Sequence, residues 1–194
     1  MLFVCDLLYQ SAVAYAALLD KRYHITIARK CKLKVLNLSF PEYAYFHLAG
    51  LHYAGIAQLA NGKNALQYVL SGAITGEQLR ASGVMPLIQD RLQSIIMLQE
   101  LLEGGHIVFR YREHRPAWSD IQADYIAYFE LENDAVLYFT AGDTDEEQQP
   151  VSIFRRSDTS YTEYCPRYKV LKIERENTAI SSVEEVYCSP SYKK

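Results

Sequence analysis

From Tyr23 to Arg29 the chain alternates, with Tyr23, Ile25 and Ile27 set against His24, Thr26 and Ala28. A two-residue period predicts a strand, and Leu33 to Leu38 predicts a second, joined by a hairpin turn at Lys30-Cys31-Lys32. Before this hairpin, residues 5–20 are rich in Ala and Leu and read as a helix. After it, Ser39-Phe40-Pro41-Glu42 sets serine three residues before glutamate, with proline in the first turn, a helix start. The helix predicted from Tyr43 to Ala60, stopped by Asn61-Gly62, is apolar almost all round. His47, His52 and Gln58 are its strongly polar side chains, so it is expected to be buried at the centre of the domain.

Three further helices are predicted: a short one over 65–70, one opened by the capping box Thr75-Gly76-Glu77-Gln78, and a longer one from Pro86 to Glu103. The last carries Ile88, Leu92, Ile95 and Leu102 on one stripe and ends at Gly104-Gly105. From His106 the period returns to two. Strands are expected at 107–111, 125–131, 136–140, 151–155 and 168–174, with a mobile acidic loop over 142–150. An N-terminal helix and hairpin, a helical segment around the histidine helix, and an antiparallel sheet of about four to five strands make the expected fold class α+β. The reading is of one domain over residues 1–176, with residues 177–194, which lack a clear period, as a C-terminal tail.

The two histidines carry the first hint of chemistry. On a continuous helix, at about 100° per residue, His47 faces a stripe of small residues near Gly50 and Ala54, and His52 points about 140° away. The i, i+5 spacing does not place both on one face, as a metal-binding pair at i, i+4 would be, so no metal site is expected. Buried imidazoles need partners or a task; backbone carbonyls satisfying two core histidines is one reading, and a functional helix is the other.

Composition narrows the class. With 194 residues, 49% hydrophobic and 22% charged, the chain is an ordinary globular one. The net charge of −3 argues against non-specific coating of nucleic acid. Its distribution says more. Six basic residues and no acidic one lie between Lys21 and Lys34, ten acidic residues and one arginine between Glu113 and Pro150, and six basic against three acidic between Arg155 and Arg175. The hairpin's basic end is therefore expected beside Arg155 and Arg156, in one positive groove. On the last strands Ser152, Arg155, Arg156, Tyr161, Tyr164 and Lys169 cluster within eighteen residues. Cys5, Cys31, Cys165 and Cys188 show no paired or metal-ligand spacing and read as free thiols. The first residues carry Asp6 and no Lys or Arg before Lys21, which is no signal peptide. No stretch reads as a membrane span, and a cytoplasmic protein without membrane partners or cofactors is expected.

The motifs of common hydrolases, phosphate loops and dinucleotide folds are absent from the sequence. A resemblance takes their place. The run from Tyr23 through Leu38, followed by Phe46-His47-Leu48-Ala49-Gly50-Leu51-His52, resembles a phage-associated nuclease family of the Barnase–EndoU–Colicin–RelE superfamily. Ile121 to Tyr125 fits its I-x-A-D-Y strand entry, and Ser152 to Phe154 its S-x-F strand. Tyr168-Lys169-Val170-Leu171 fits the closing strand, so the likeness spans roughly residues 20 to 175. Where family members read S-F-F, this chain has Ser152-Ile153-Phe154.

The resemblance implies a metal-independent ribonuclease, with RNA as substrate, a protein inhibitor as a further partner, and a role as toxin or effector in phage–host conflict. It implies His47 as acid or base, Arg155 or Arg29 as phosphate clamp, and Tyr161 or Ser152 as hydrogen-bond donors, with Arg156, Lys169 and His52 beside the substrate. The alternative is a module on the same fold without catalysis, binding nucleic acid or protein.

Overall fold

The computed structural model of the protein describes residues 6–59, 62–112 and 114–192. The predicted helix start at Cys5, the predicted helix end at Ala60 and the stop residue Asn61 lie outside them. Helix α1 (Leu7–Ala16) starts at Asp6, whose carboxylate accepts from the Leu8 amide at 2.9 Å and from the Gly76 amide at 2.8 Å. One side chain thus caps α1 and anchors the start of α4 (Gly76–Ala81). Strands β1 (Lys21–Arg29) and β2 (Lys32–Ser39) form the predicted hairpin, and α2 (Ala44–Leu48), α3 (Ala65–Leu70) and α5 (Met85–Glu103) complete the helices. Strands β3 (Ile107–Arg110), β4 (Tyr125–Glu130), β5 (Ala135–Ala141), β6 (Glu147–Arg156), β7 (Arg167–Asn177) and β8 (Ser182–Cys188) follow.

The α+β class holds, but the sheet has eight strands in the order β1-β2-β6-β5-β4-β3-β7-β8, more than the expected four to five. The hairpin's two strands and a last strand, β8, account for the difference. β1 pairs with β7 as well as with β2, and β2 joins β6 in parallel through Asn37↔Glu147 and Leu38↔Gln148. The N-terminal hairpin therefore closes the sheet into a ring. The residues expected as a loose tail supply β8, which pairs antiparallel with β7, and Ser189 behind it is buried.

Burial explains the registers. Leu8, Ala12 and Tyr15 of α1 and Ile88, Leu92, Ile95, Leu98 and Leu102 of α5 recur at helical spacing and fill the main core against Ile25, Ile27, Val108, Tyr138 and Ile173. Each large apolar side chain buried there contributes roughly 1.5–3 kcal/mol. Tyr111, Ile126, Leu137, Phe139 and Tyr161 form a second core on the other face. The central strands β4 and β5 are thus apolar on both sides.

The acidic loop is tied down rather than free. Asp145 pairs with Lys34 and Arg110, and Glu147 with Arg22 at 3.0 Å. Among the described residues no helix is long and apolar enough to cross a membrane.

One buried group gives the fold a pH dependence. His106 donates from Nδ1 to the Gly104 carbonyl at 3.1 Å, while its Nε2 is buried with no partner among the described residues. Burial lowers its pKa to about 4 from 6.5. The folded state thus binds fewer protons than the unfolded chain between these values. The associated stability is complete above pH 6.5 and is lost as pH falls through about 4. Between pH 7 and pH 5 the expected loss is roughly 2 kcal/mol. Melting curves of the parent and of His106→Leu across this range should diverge, with the variant flatter. Parallel curves would show that His106 does not carry the dependence.

Candidate functional site

The chain after α2 turns because Gly50 adopts left-handed backbone, φ 71°, before the 3₁₀ turn Leu51–Tyr53. A Cβ at Gly50 would fall 2.8 Å from Ile88 Cγ2 and 3.1 Å from Arg91 Cδ, so glycine is what lets this turn sit against α5. The histidines follow from it. A continuous helix would hold them on different faces; the break brings their ring centroids to 5.4 Å. Both are exposed, which corrects the expected buried helix: Ala44, Tyr45, Leu48 and Leu51 take the core positions, and His47, His52 and Tyr53 face outward.

β6 forms the facing wall. β2 pairs with it at Glu147 and Gln148 alone, and further along β6 packs against α2 and α5 instead. The loop before β4 contributes Asp120, Ile121 and Gln122, and the loop after β6 contributes Tyr161. Tyr161 is held by rings on several sides, with centroids of Trp118 at 4.8 Å, Phe154 at 5.3 Å and Phe139 at 5.4 Å.

These walls enclose a cleft of about 640 Å³. His47, His52, Ser152, Arg155, Arg156 and Tyr161, singled out in the sequence from distant segments, all line it. Arg29 and Lys169 do not. They line a second cleft together with Lys30 and Arg167, so the expected single groove is two separate ones. The reason lies in the pairings above: the acidic loop neutralises the hairpin's Arg22 and Lys34, and the hairpin tip lies against β7.

Arg91 is a lining residue that sequence reasoning missed. It is half-buried, its Nη1 donates to Ser152 Oγ at 3.1 Å, and it lies 5.9 Å from the Tyr53 ring and 5.6 Å from the Phe154 ring. No carboxylate stands within ion-pair distance of it among the described residues. The available signal was its position three residues after Ile88 and four before Ile95, on the margin of the buried stripe.

Arg155 is also poorly neutralised. Its Nη1 reaches Asp134 only at 3.9 Å, and its buried Nε has no partner. Arg156 stacks over Phe154 and Tyr161 at 5.7 and 5.8 Å. Asp90 and Asp120 are the carboxylates of the lining. The Tyr161 ring is buried, and its hydroxyl has no hydrogen-bond partner among the described residues.

Partial burial first, then the neighbouring charges of His47 and Arg91, lower the pKa of His52. No group of three or more His, Cys, Asp or Glu suited to a metal ion is gathered among the described residues.

Two imidazoles, under-neutralised arginines and hydroxyls are the residue types that proton transfer at an anion requires. The family model described as phage-Barnase-EndoU-ColicinE5/D-RelE like nuclease4 matches residues 7–188. The chain belongs to this nuclease family. The match runs past Asn177 and takes in β8. No curated protein and no solved structure is significantly similar to the chain.

Proposed function

We propose that this phage-associated nuclease is an endoribonuclease that cleaves RNA without a metal ion, by attack of a 2′-hydroxyl on the adjacent phosphorus. The observation that carries the reading is the convergence of the His47–His52 pair with Arg91 and Arg155 in one cleft. The lowered proton affinity of His52 favours its neutral form, the form a general base requires. His52 takes the 2′-hydroxyl proton as the 2′-oxygen–phosphorus bond forms. The bond from phosphorus to the 5′-oxygen breaks, and His47 gives that oxygen a proton. A 2′,3′-cyclic phosphate and a 5′-hydroxyl result.

Charge building on the phosphoryl oxygens is met by Arg91 and Arg155. Ser152 accepts from Arg91 with its lone pair and keeps its own proton to donate, as Tyr161 does. Phe154, Tyr53 and Arg156 offer stacking faces to bases, which suits single-stranded RNA. His47 also borders an adjoining hollow of about 510 Å³ lined by Tyr43 and Phe46. A strand laid across His47 therefore has room on both sides, which supports cutting within a chain rather than at an end. The family's phage association supports a role as toxin or effector in phage–host conflict; a protein inhibitor belongs to the same proposal.

The test is cleavage of a single-stranded RNA in EDTA, with the ends identified. Undiminished cleavage leaving 2′,3′-cyclic phosphate is expected. Activity that EDTA abolishes and a divalent ion restores, or products ending in 5′-phosphate, would overturn the mechanism.

A further inference from the structure

The second cleft, of about 610 Å³, opens where the tip of the β1–β2 hairpin meets β3, β7 and the end of α5. Arg29 and Lys30 reach it from the hairpin, and Arg167 and Lys169 from β7; Glu130 is the carboxylate on its wall. None of the four cations has a carboxylate within ion-pair distance among the described residues. By contrast Arg22, Lys34, Arg110, Lys172 and Arg175 of the same sheet are all paired. Lys169 donates to the Ser191 hydroxyl, and Arg29 lies over the Tyr168 ring at 5.9 Å. Four like charges on one concave surface repel each other and focus a positive potential, and a bound polyanion relieves that repulsion.

Two backbone features hold the cleft in shape. Lys30 and Cys31 both have left-handed backbone, φ 48° and 61°. A two-residue hairpin turn of this kind ordinarily takes Asn-Gly, and a larger side chain there costs roughly 1–2 kcal/mol. The strained position carries a lysine, and that lysine lines the cleft. At the other wall, a Cβ on Gly105 would fall 2.8 Å from Tyr187 Oη. The glycine therefore lets the Tyr187 ring lie close against the backbone beyond α5, with Tyr128 also in the lining.

We infer that this second cleft binds the phosphates and bases of a single-stranded RNA segment outside the cutting site. The inference rests on the ribonuclease reading for its ligand. Arg91 lines the first cleft and the glycines that end α5 border the second. The 13 residue steps from Arg91 to Gly104 (104 − 91) separate them by about 20 Å at 1.5 Å per residue. A strand only a few nucleotides long fills the first cleft alone, while a longer one engages both. Cations with tyrosine faces suit RNA better than an acidic protein, which would use the charges and leave the rings idle.

The test uses the full chain carrying His47→Gln, so that RNA is bound and not consumed. Anisotropy of a labelled oligouridine of about 20 nucleotides is compared with that of a tetranucleotide. Adding Arg29→Gln and Lys169→Gln should weaken binding of the long strand about 10-fold and lower the salt slope by about 1.4, as for two lost phosphate contacts. The loss should be clearly smaller for the tetranucleotide. Arg29→Lys with Lys169→Arg should restore long-strand affinity. Lys30→Gln with Arg167→Gln, at exposed positions, should reproduce the loss in a protein whose melting curve is unchanged.

Unchanged long-strand affinity and salt slope in both pairs overturns the proposal. Equal losses for short and long strands overturn it too, as does polyglutamate binding as tightly as RNA through the same residues, which would assign the cleft to an acidic protein. Binding requires no cleavage, so this outcome is read separately from that of the cleavage test.

Discussion

His47→Gln is expected to keep a melting midpoint within ~2 °C of the parent while RNA cleavage falls roughly 10²- to 10⁴-fold. The two halves of this expectation have separate causes. His47 is exposed, its ring has no hydrogen-bond partner among the described residues, and it lies against the rings of Phe46 and His52. Little folding energy depends on it. Glutamine keeps the polarity and much of the volume but neither takes nor gives a proton near neutral pH, so the leaving oxygen loses its acid. Paired melting curves and initial cleavage rates check both halves. A folded His47→Gln that cleaves at the parent rate removes His47 from the chemistry. A structural histidine would show the reverse, a lowered midpoint with activity lost only as the folded fraction falls.

Arg91→Met should reduce cleavage by roughly 10²- to 10³-fold and leave stability unchanged or slightly higher. The guanidinium is half-buried beneath Tyr53 and Phe154 and lacks a carboxylate partner among the described residues. Holding such a cation near a low-dielectric wall opposes folding, and methionine of similar length removes that cost while filling the space beside Gly50. Stabilisation of the charged transition state is lost with it. Arg91→Lys keeps the charge but not the planar fork that reaches Ser152 and a phosphoryl oxygen together, and should recover only part of the rate. If Arg91→Met melts well below the parent and its activity tracks the folded fraction, Arg91 is a packing residue and the phosphate clamp must be Arg155 alone.

The candidate site was legible in part. The residue types that proton transfer and phosphate binding require stand out at His47, Ser152, Arg155, Arg156 and Tyr161, and the fold gathers all five around one cleft. His52 was misplaced because a helical wheel assumes a continuous helix, and a single glycine with positive φ ended that helix two residues earlier. Arg91 was passed over because an arginine on an amphipathic helix looks the same whether it faces water or a cleft wall. Arg29 and Lys169 have the right charge for a phosphate but line the second cleft, not the first. Whether Arg22 and Lys34 remain free to meet nucleic acid depends on Asp145 and Glu147, which come from a loop more than a hundred residues away in the chain.

The elements themselves follow from local order. Alternation at Tyr23 to Arg29, the stripe of α5, the capping box at Thr75 and the glycines after Glu103 each specify backbone shape through neighbours a few residues apart. The motif around His47 likewise sits in contiguous residues, and with it the family was within reach. Pairing partners were not. β1 satisfies its period equally well beside β2 alone or between β2 and β7, and the weak alternation of 182–188 becomes a strand only once the edge of β7 is offered to it. Closing the ring, separating the two clefts and setting Arg91 in the same cleft as the histidines are all choices among long-range contacts. Their energy comes from burying both faces of β4 and β5 and from neutralising a basic hairpin with an acidic loop, terms that have no value until distant segments meet.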